Sequence, residues 1–160
     1  MANAVSTAGM NLKYAVETVA GTRPTGAFTT IPGAKAIPAI FNDPNMLQST
    51  PLSATKNHTY IRGLDDSGGS IQITVNDYKE FRDAWTTCLG AYATAQGSGL
   101  GMWFEVAYPD GSNLDSFYFP GEPLPLGFGG ADVDSVLENN ANIAPQGDYV
   151  FAAASPTGSV

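Results

Sequence analysis

Between Ser70 and Phe119 the hydrophobic period changes from two to about 3.6 and back to two, which limits the chain to folds where one helix lies against a sheet. Ile71, Ile73 and Val75 alternate with Gln72 and Thr74, so one face of that strand is apolar. In DYKEFRDAWTTCLGAYATA, Tyr78, Phe81, Trp85, Cys88, Leu89 and Tyr92 recur at helical spacing. Of that stripe, Tyr78, Phe81, Trp85 and Leu89 are the expected core face. Asp77 to Glu80 has the spacing of a capping box. GMWFEVAY and SFYF resume the alternation on either side of PDG, which predicts a hairpin of strands 102–108 and 114–119.

The rest of the chain reads as short strands and turns. Eighteen glycines and eleven prolines in 160 residues fit a single, mainly β domain spanning 1–160: a β-sandwich or barrel-like subunit with one flanking helix. Residues 1–10 are small and polar and are expected to be a flexible segment. Leu12, Tyr14 and Val16 alternate with Lys13, Ala15 and Glu17, giving a first strand that stops at GTRPTG. From 28 to 52, Pro32, Pro38, Pro44 and Pro51 recur among Ile31, Ile37, Ile40, Phe41, Met46 and Leu47. Proline cannot donate to a ladder, so this stretch is expected to be an extended arm, and its apolar side chains need a surface to pack on. Another subunit can supply that surface. His58–Leu64 predicts a strand leading into the turn DDSGG. DVDSVLENNANIA predicts one long strand, with PQG turning the chain back into DYVFAAA and 155–160 as a tail.

Charge is distributed very unevenly. The net charge is -8. All seven basic residues lie between Lys13 and Arg82, together with six acids, whereas nine acids and no base follow from Asp83 onward. Tight nucleic-acid binding requires Lys and Arg to neutralise phosphates, so the second half disfavours it. A surface that repels a polyanion is compatible with DNA sliding past without sticking. Asp132, Asp134 and Glu138 on the expected long strand are the candidates for such a surface. The last basic residues, Lys79 and Arg82, share the polar helix face with Glu80 and Asp83. The helix is therefore expected on the side of the subunit away from any channel, where its mixed charges can face solvent or a neighbour.

Catalytic and cofactor chemistry finds little support. Cys88 is the only cysteine and falls on the apolar stripe, as a small buried residue would. His58 is the only histidine and has no clustered Cys, Asp or Glu at ligand spacing, so neither a metal nor a cofactor is expected. GSGLG at 97–101 is glycine-rich but follows a helix and precedes a strand, the reverse of a phosphate cradle. Asp132 and Asp134 with Glu105 could be imagined as a hydrolytic acid pair, yet nine scattered acids read better as a solvated or lumen-facing charge. The N-terminus carries no secretory pattern, and the uncharged run 84–104 is too broken to span a membrane. A competing reading is a carbohydrate-binding or adhesive β-sandwich in which Trp103, Tyr108, Tyr118 or Phe128 stacks on sugars.

The order of these features resembles the tail tube (major tail) proteins of long-tailed phages. The residues that carry the likeness are GTRPTGAFTTIPGAKAIPAI, YIRGLDDSGG, the DYKEFRDAW helix and VLENNANIAPQGDYVF. The resemblance implies subunits that join into hexameric rings and stack into a tube in the virion tail, assembled in the host cytoplasm. It further implies an electronegative lumen that DNA passes without specific binding. The implied partners are the subunit itself, the tape-measure protein, the tail terminator and the distal tail or tip proteins. Because the sequence ends soon after its last expected strand, the immunoglobulin-like domain that other members append is not expected.

Overall fold

The computed structural model describes residues 6, 8–40, 44–53, 55–65, 69–109 and 113–155. Phe41, most of 1–7, the tips of the DDSGG and PDG turns, and 156–160 lie outside them. The fold is mainly β. Its strands are β1 (Asn11–Val16), β2 (Thr29–Ile31), β3 (Ala34–Ala36), β4 (Pro44–Gln48), β5 (Tyr60–Asp65) and β6 (Ile71–Asn76). After α1 (Lys79–Gly97), the one helix among the described residues, come β7 (Met102–Ala107), β8 (Ser116–Pro123), β9 (Glu138–Pro145) and β10 (Val150–Ala152).

Seven strands run in the order β2-β1-β7-β8-β9-β6-β3, with β10 added on β8, and a separate ribbon pairs β4 with β5. The two end strands of this path are consecutive in sequence and only Pro32 and Gly33 separate them. The sheet therefore curls into a half-barrel whose ends are joined by peptide bonds instead of a ladder. Gly33 has φ +86°, and its carbonyl accepts the Asn76 N–H at 2.9 Å, tying the seam to the end of β6. A Cβ at that position would lie 2.7 Å from a ring carbon of Tyr78.

The helix stripe fills the curled sheet. Phe81, Trp85, Cys88 and Tyr92 pack with Leu12 and Tyr14 of β1, Ile31, the inward residues Ile71, Ile73 and Val75, and Met102, Phe104, Phe117, Phe119, Ala141 and Ile143. Each inward set alternates along its strand, as a pleated surface with one face on the core requires. Trp85 also donates its indole N–H to the Leu124 carbonyl at 3.0 Å, which fixes the start of the loop after β8. Cys88 is buried against the Met102 sulfur at 3.5 Å, and burial pushes its thiol up to about 12. On the outer face, Phe28, Trp103 and Tyr118 form a second, smaller cluster. β7 is thus buried on both sides.

Several expectations need correction. Tyr78 does not belong to the core face: it is the helix N-cap residue, in extended backbone, and is 39% exposed. Leu89 is half-buried at the margin of the core. No side-chain cap bond forms at Tyr78, and Asp77 instead accepts Arg82 Nη2 at 2.7 Å and Nε at 2.5 Å. The proline-marked arm is not one extended loop, because 29–31 and 34–36 are edge strands of the main sheet. The long strand expected over DVDSVLENNANIA starts only at Glu138. Asp132 and Asp134 precede it, and Asp134 has φ +60°, which no regular strand contains.

PQG does not reverse the chain. β9 pairs β8 with Pro145 opposite Gly121, and β10 pairs β8 with Val150 opposite Tyr118, both antiparallel. The four residues 146–149 therefore face only 119–120 of β8, so β9 and β10 are one line of strand interrupted by a bulge with two extra residues. Gln146 N–H still reaches the Pro120 carbonyl at 3.0 Å across that bulge.

Candidate functional site

The arm divides among three environments. Ile31 is 2% exposed in the protein's own core, so it is not available to a neighbour. Ile37 and Ile40 are half-buried and line a groove of about 230 Å³ together with Met10, Val106, Phe117 and Phe151. Met46 and Leu47 lie on the β4–β5 ribbon, 56% and 54% exposed. Their cross-strand surroundings are no more protected: Tyr60 and Ile61 are 54% and 55% exposed. The ribbon is held by its own ladder, with Leu47 opposite Ile61 and Gln48 opposite Tyr60, and by contacts of Gln48 and Thr50 with the His58 ring at its end.

The acidic candidates also separate. Glu138 opens β9 and forms an ion pair with Lys35 of β3, two strands away along the sheet. Asp132 and Asp134 are exposed on the loop between β8 and β9. That loop also exposes Phe128, Val133 and Val136. On the helix, Lys79 and Asp83 form an exposed pair at 2.7 Å, so both signs of charge are on the solvent side of α1. The Arg82 hydrogen bond holds the Asp77 carboxyl below the usual carboxylate range against the opposing effect of desolvation.

Trp103 and Tyr118 of the sugar-stacking candidates, and Glu105 of the imagined acid pair, are engaged within the protein. Trp103 is buried and donates its indole N–H to Glu17 at 2.9 Å; the other Glu17 oxygen accepts the Gly101 amide at 2.6 Å. The glycine-rich segment thus presents its amide to a carboxylate of the protein, and Cβ at Gly101 would lie 2.8 Å from that carboxylate. Tyr118 is fully buried beneath Arg23, whose guanidinium carbon is 4.5 Å from the ring centroid. Of the four aromatic candidates only Phe128 and Tyr108 present their rings to solvent or to the groove.

Sequence reasoning missed a buried polar row. In register across three strands lie Lys13 of β1, Glu105 of β7 and Tyr118 of β8. Glu105 is fully buried, and the chain end folds over it: Ser155 donates its N–H at 3.2 Å to one oxygen and its hydroxyl to the other. Tyr118 donates to the Ala153 carbonyl at 2.6 Å. Burial, with the Glu105 charge adding to it, pushes the Tyr118 phenol up to about 12. The alternation in β1 and β7 showed that these positions face outward. What it could not show is that residues 150–155 return to cover them.

Among the described residues no three His, Cys, Asp or Glu side chains gather where a metal ion could be held. Among the described residues no helix is long and apolar enough to cross a membrane. No family model matches the sequence, and no curated protein matches it.

The fold itself is shared with chains of two particles of sixfold symmetry. One is a chain of the anti-feeding prophage (AFP) baseplate, 6-fold symmetrised, with a TM-score of 0.61 at 10% identity, covering 96% of this chain and 98% of that one. The other is a chain from the tail of an empty GTA particle with C6 symmetry, with a TM-score of 0.54 at 17% identity, covering 90% of this chain and 96% of that one.

Proposed function

We propose that this protein is a structural virion subunit that polymerises as stacked hexameric rings into a phage tail tube. The observation that carries the reading is the match of nearly the whole chain to subunits of a baseplate and a tail, both from particles of sixfold symmetry. The composition of its surfaces supports it. A monomer has no use for an uncovered apolar ribbon, whereas a polymer needs one contact that closes a ring and another that does not. In this reading Asp132, Asp134 and Glu138 turn toward the channel, with the base-free half of the chain giving it a negative potential that lets DNA pass without specific binding. The Lys79, Arg82 and Asp83 face of α1 lies away from the channel. The tape-measure, terminator and distal tail proteins are the partners of such a tube.

Electron microscopy of the purified protein at high concentration tests the proposal. Six-membered rings or tubes are expected. A particle that stays monomeric under all conditions overturns it, and a map with all three acids on the outer wall overturns the channel assignment.

A further inference from the structure

The loop between β8 and β9 is fastened to the barrel at very few points. Residues 127–137 are eleven consecutive exposed positions. They carry Asp132, Asp134 and the apolar side chains of Phe128, Val133 and Val136. Among the described residues two hydrogen bonds tie this stretch to the rest of the chain. The Asn139 side-chain N–H donates to the Gly127 carbonyl at 2.8 Å, and the Asp77 main-chain N–H donates to the Leu137 carbonyl at 3.0 Å.

Both bonds lead to Asp77, which follows β6 and precedes α1. Its carboxyl takes Arg82 Nη2 at 2.7 Å and Nε at 2.5 Å. Arg82, with the Asn139 amide adding to it, holds that carboxyl below the usual carboxylate range, so Asn139 links the Gly127 carbonyl to the same group. The Asp77 side chain is 2% exposed, whereas that of Arg82 is 60% exposed. Arg82 also borders two open hollows, one walled by Leu126, Gly127 and Phe128 and the other by Leu137. Solvent therefore reaches the guanidinium from both sides while the carboxyl behind it stays covered. The loop touches the barrel closely at one further point. A Cβ on Gly129 would lie 2.5 Å from the Glu138 carbonyl oxygen, so only bare backbone fits there.

We infer that Asp77 and Arg82 form a clasp that holds the acidic loop in one posture, and that opening it frees residues 127–137 as a unit while the barrel stays folded. Removing Arg82 leaves a buried carboxylate without its cation, which is relieved by admitting water. The loop is the part that gives way, because its exposed residues have only two bonds to lose and these run through Asp77 or its partner Asn139. The packed side of the same helix offers no such outlet: Phe81 and Trp85 are 0% and 1% exposed. Arg82 and Asn139 are thus positioning residues for a loop to which neither belongs. The clasp is a property of the free subunit and does not require a tube. On the reading of the acids as channel-facing, it decides whether Asp132 and Asp134 are fixed charges or swing freely.

The test puts spin labels on Val133→Cys in the loop and Ala93→Cys on the exposed side of α1, and reads the distance between them in dilute protein. The native Cys88 is buried and stays protonated, so it takes no label. One narrow distance is expected. Arg82→Leu and Asp77→Asn should each turn it into a broad distribution. Arg82→Lys keeps the charge but not the two parallel bonds and should broaden it less. Lys79→Ala breaks the neighbouring exposed pair and should leave it narrow. Gly129→Ala should broaden it with the ion pair intact. Hydrogen exchange in β1 and β7 should match the wild type throughout. A narrow distance in a folded Arg82→Leu protein, a distance already broad before any clasp residue is changed, or faster exchange in β1 and β7 accompanying the broadening overturns the clasp. All of this is read on the free subunit, so a failure of rings to form overturns the tube reading without touching the clasp.

Discussion

Gly33 and Tyr78 meet edge to ring at the seam of the half-barrel, where a Cβ on the glycine would lie 2.7 Å from the tyrosine ring. The position also has φ +86°, a conformation that costs an L-residue roughly 1–2 kcal/mol. Gly33→Ala is therefore expected to destabilise the fold by about 2–4 kcal/mol in denaturant titrations, the strain and the clash adding. Tyr78→Ala in the same chain should recover the clash but not the strain. A double mutant as unstable as Gly33→Ala alone would show that the ring is not what the Cβ meets.

Trp85 joins the helix to the sheet and to the following loop. Trp85→Ala is expected to cost about 3–5 kcal/mol through the cavity it leaves. Trp85→Phe should cost less, since it keeps much of the volume and the stacking on Phe81, whose ring centroid is 5.9 Å away. Its remaining cost comes from the Leu124 carbonyl that loses its donor. Equal destabilisation by both changes would remove the packing explanation.

The Asp77 and Arg82 pair gives acid sensitivity with a defined sign. Because the hydrogen bond from Arg82 lowers the folded-state pKa of Asp77, the folded protein binds fewer protons than the unfolded chain in this range. The contribution is present above the ordinary carboxylate value of about 3.9 and is lost as pH falls through the lower folded value. The stability difference between wild type and Arg82→Leu should thus be greatest near neutral pH and shrink below about pH 4. A difference that is constant from neutral to strongly acidic pH contradicts this assignment.

Ser155 holds the chain end on the buried Glu105 carboxylate. Hydrogen bonds to charged groups are worth about 1.5–3 kcal/mol, and Ser155→Ala removes the hydroxyl one while leaving the N–H. Hydrogen exchange should accelerate in residues 150–155 and remain unchanged in β6 and β9. Uniform acceleration would mean that the strap is not a separately opening unit.

Leu47→Asp tests the ribbon as an assembly element. The side chain is exposed in the free subunit, so the thermal midpoint should change little, within about ±0.5 kcal/mol of stability. Sedimentation and electron microscopy should show loss of polymers. Normal tubes from this variant would exclude Leu47 from any assembly contact.

How much of this was legible in the sequence depended on what each residue's pattern can encode. Alternation in 12–16, 71–75 and 102–106 identified three strands and their inward faces, and the Phe81, Trp85, Cys88, Tyr92 stripe identified the helix that fills them. The edge strands β2 and β3 were hidden because they are three residues each, too short for a period, and because Pro32 sits in the turn between them where it has no ladder to break. Tyr78 fits the stripe by spacing, yet it precedes the first helical residue and its extended backbone turns the side chain toward Gly33. Asp132 and Asp134 alternate with apolar residues and still form no strand, because alternation indicates a face only where a neighbouring strand is present. The groove joins Met10, Ile40, Val106 and Phe151, four positions spread over nearly the whole chain, so only the fold could bring them together.

The seam at Pro32 and Gly33 has a mechanical consequence. Three peptide units separate Ile31 of β2 from Ala34 of β3, and such a span cannot exceed about 11 Å however the chain is pulled. The girth of the subunit is therefore limited by covalent geometry. A load that tends to spread the barrel cannot unzip it at the closing point. It must first strip β2 from β1 or β3 from β6, breaking ladder bonds next to the core rather than at a free edge.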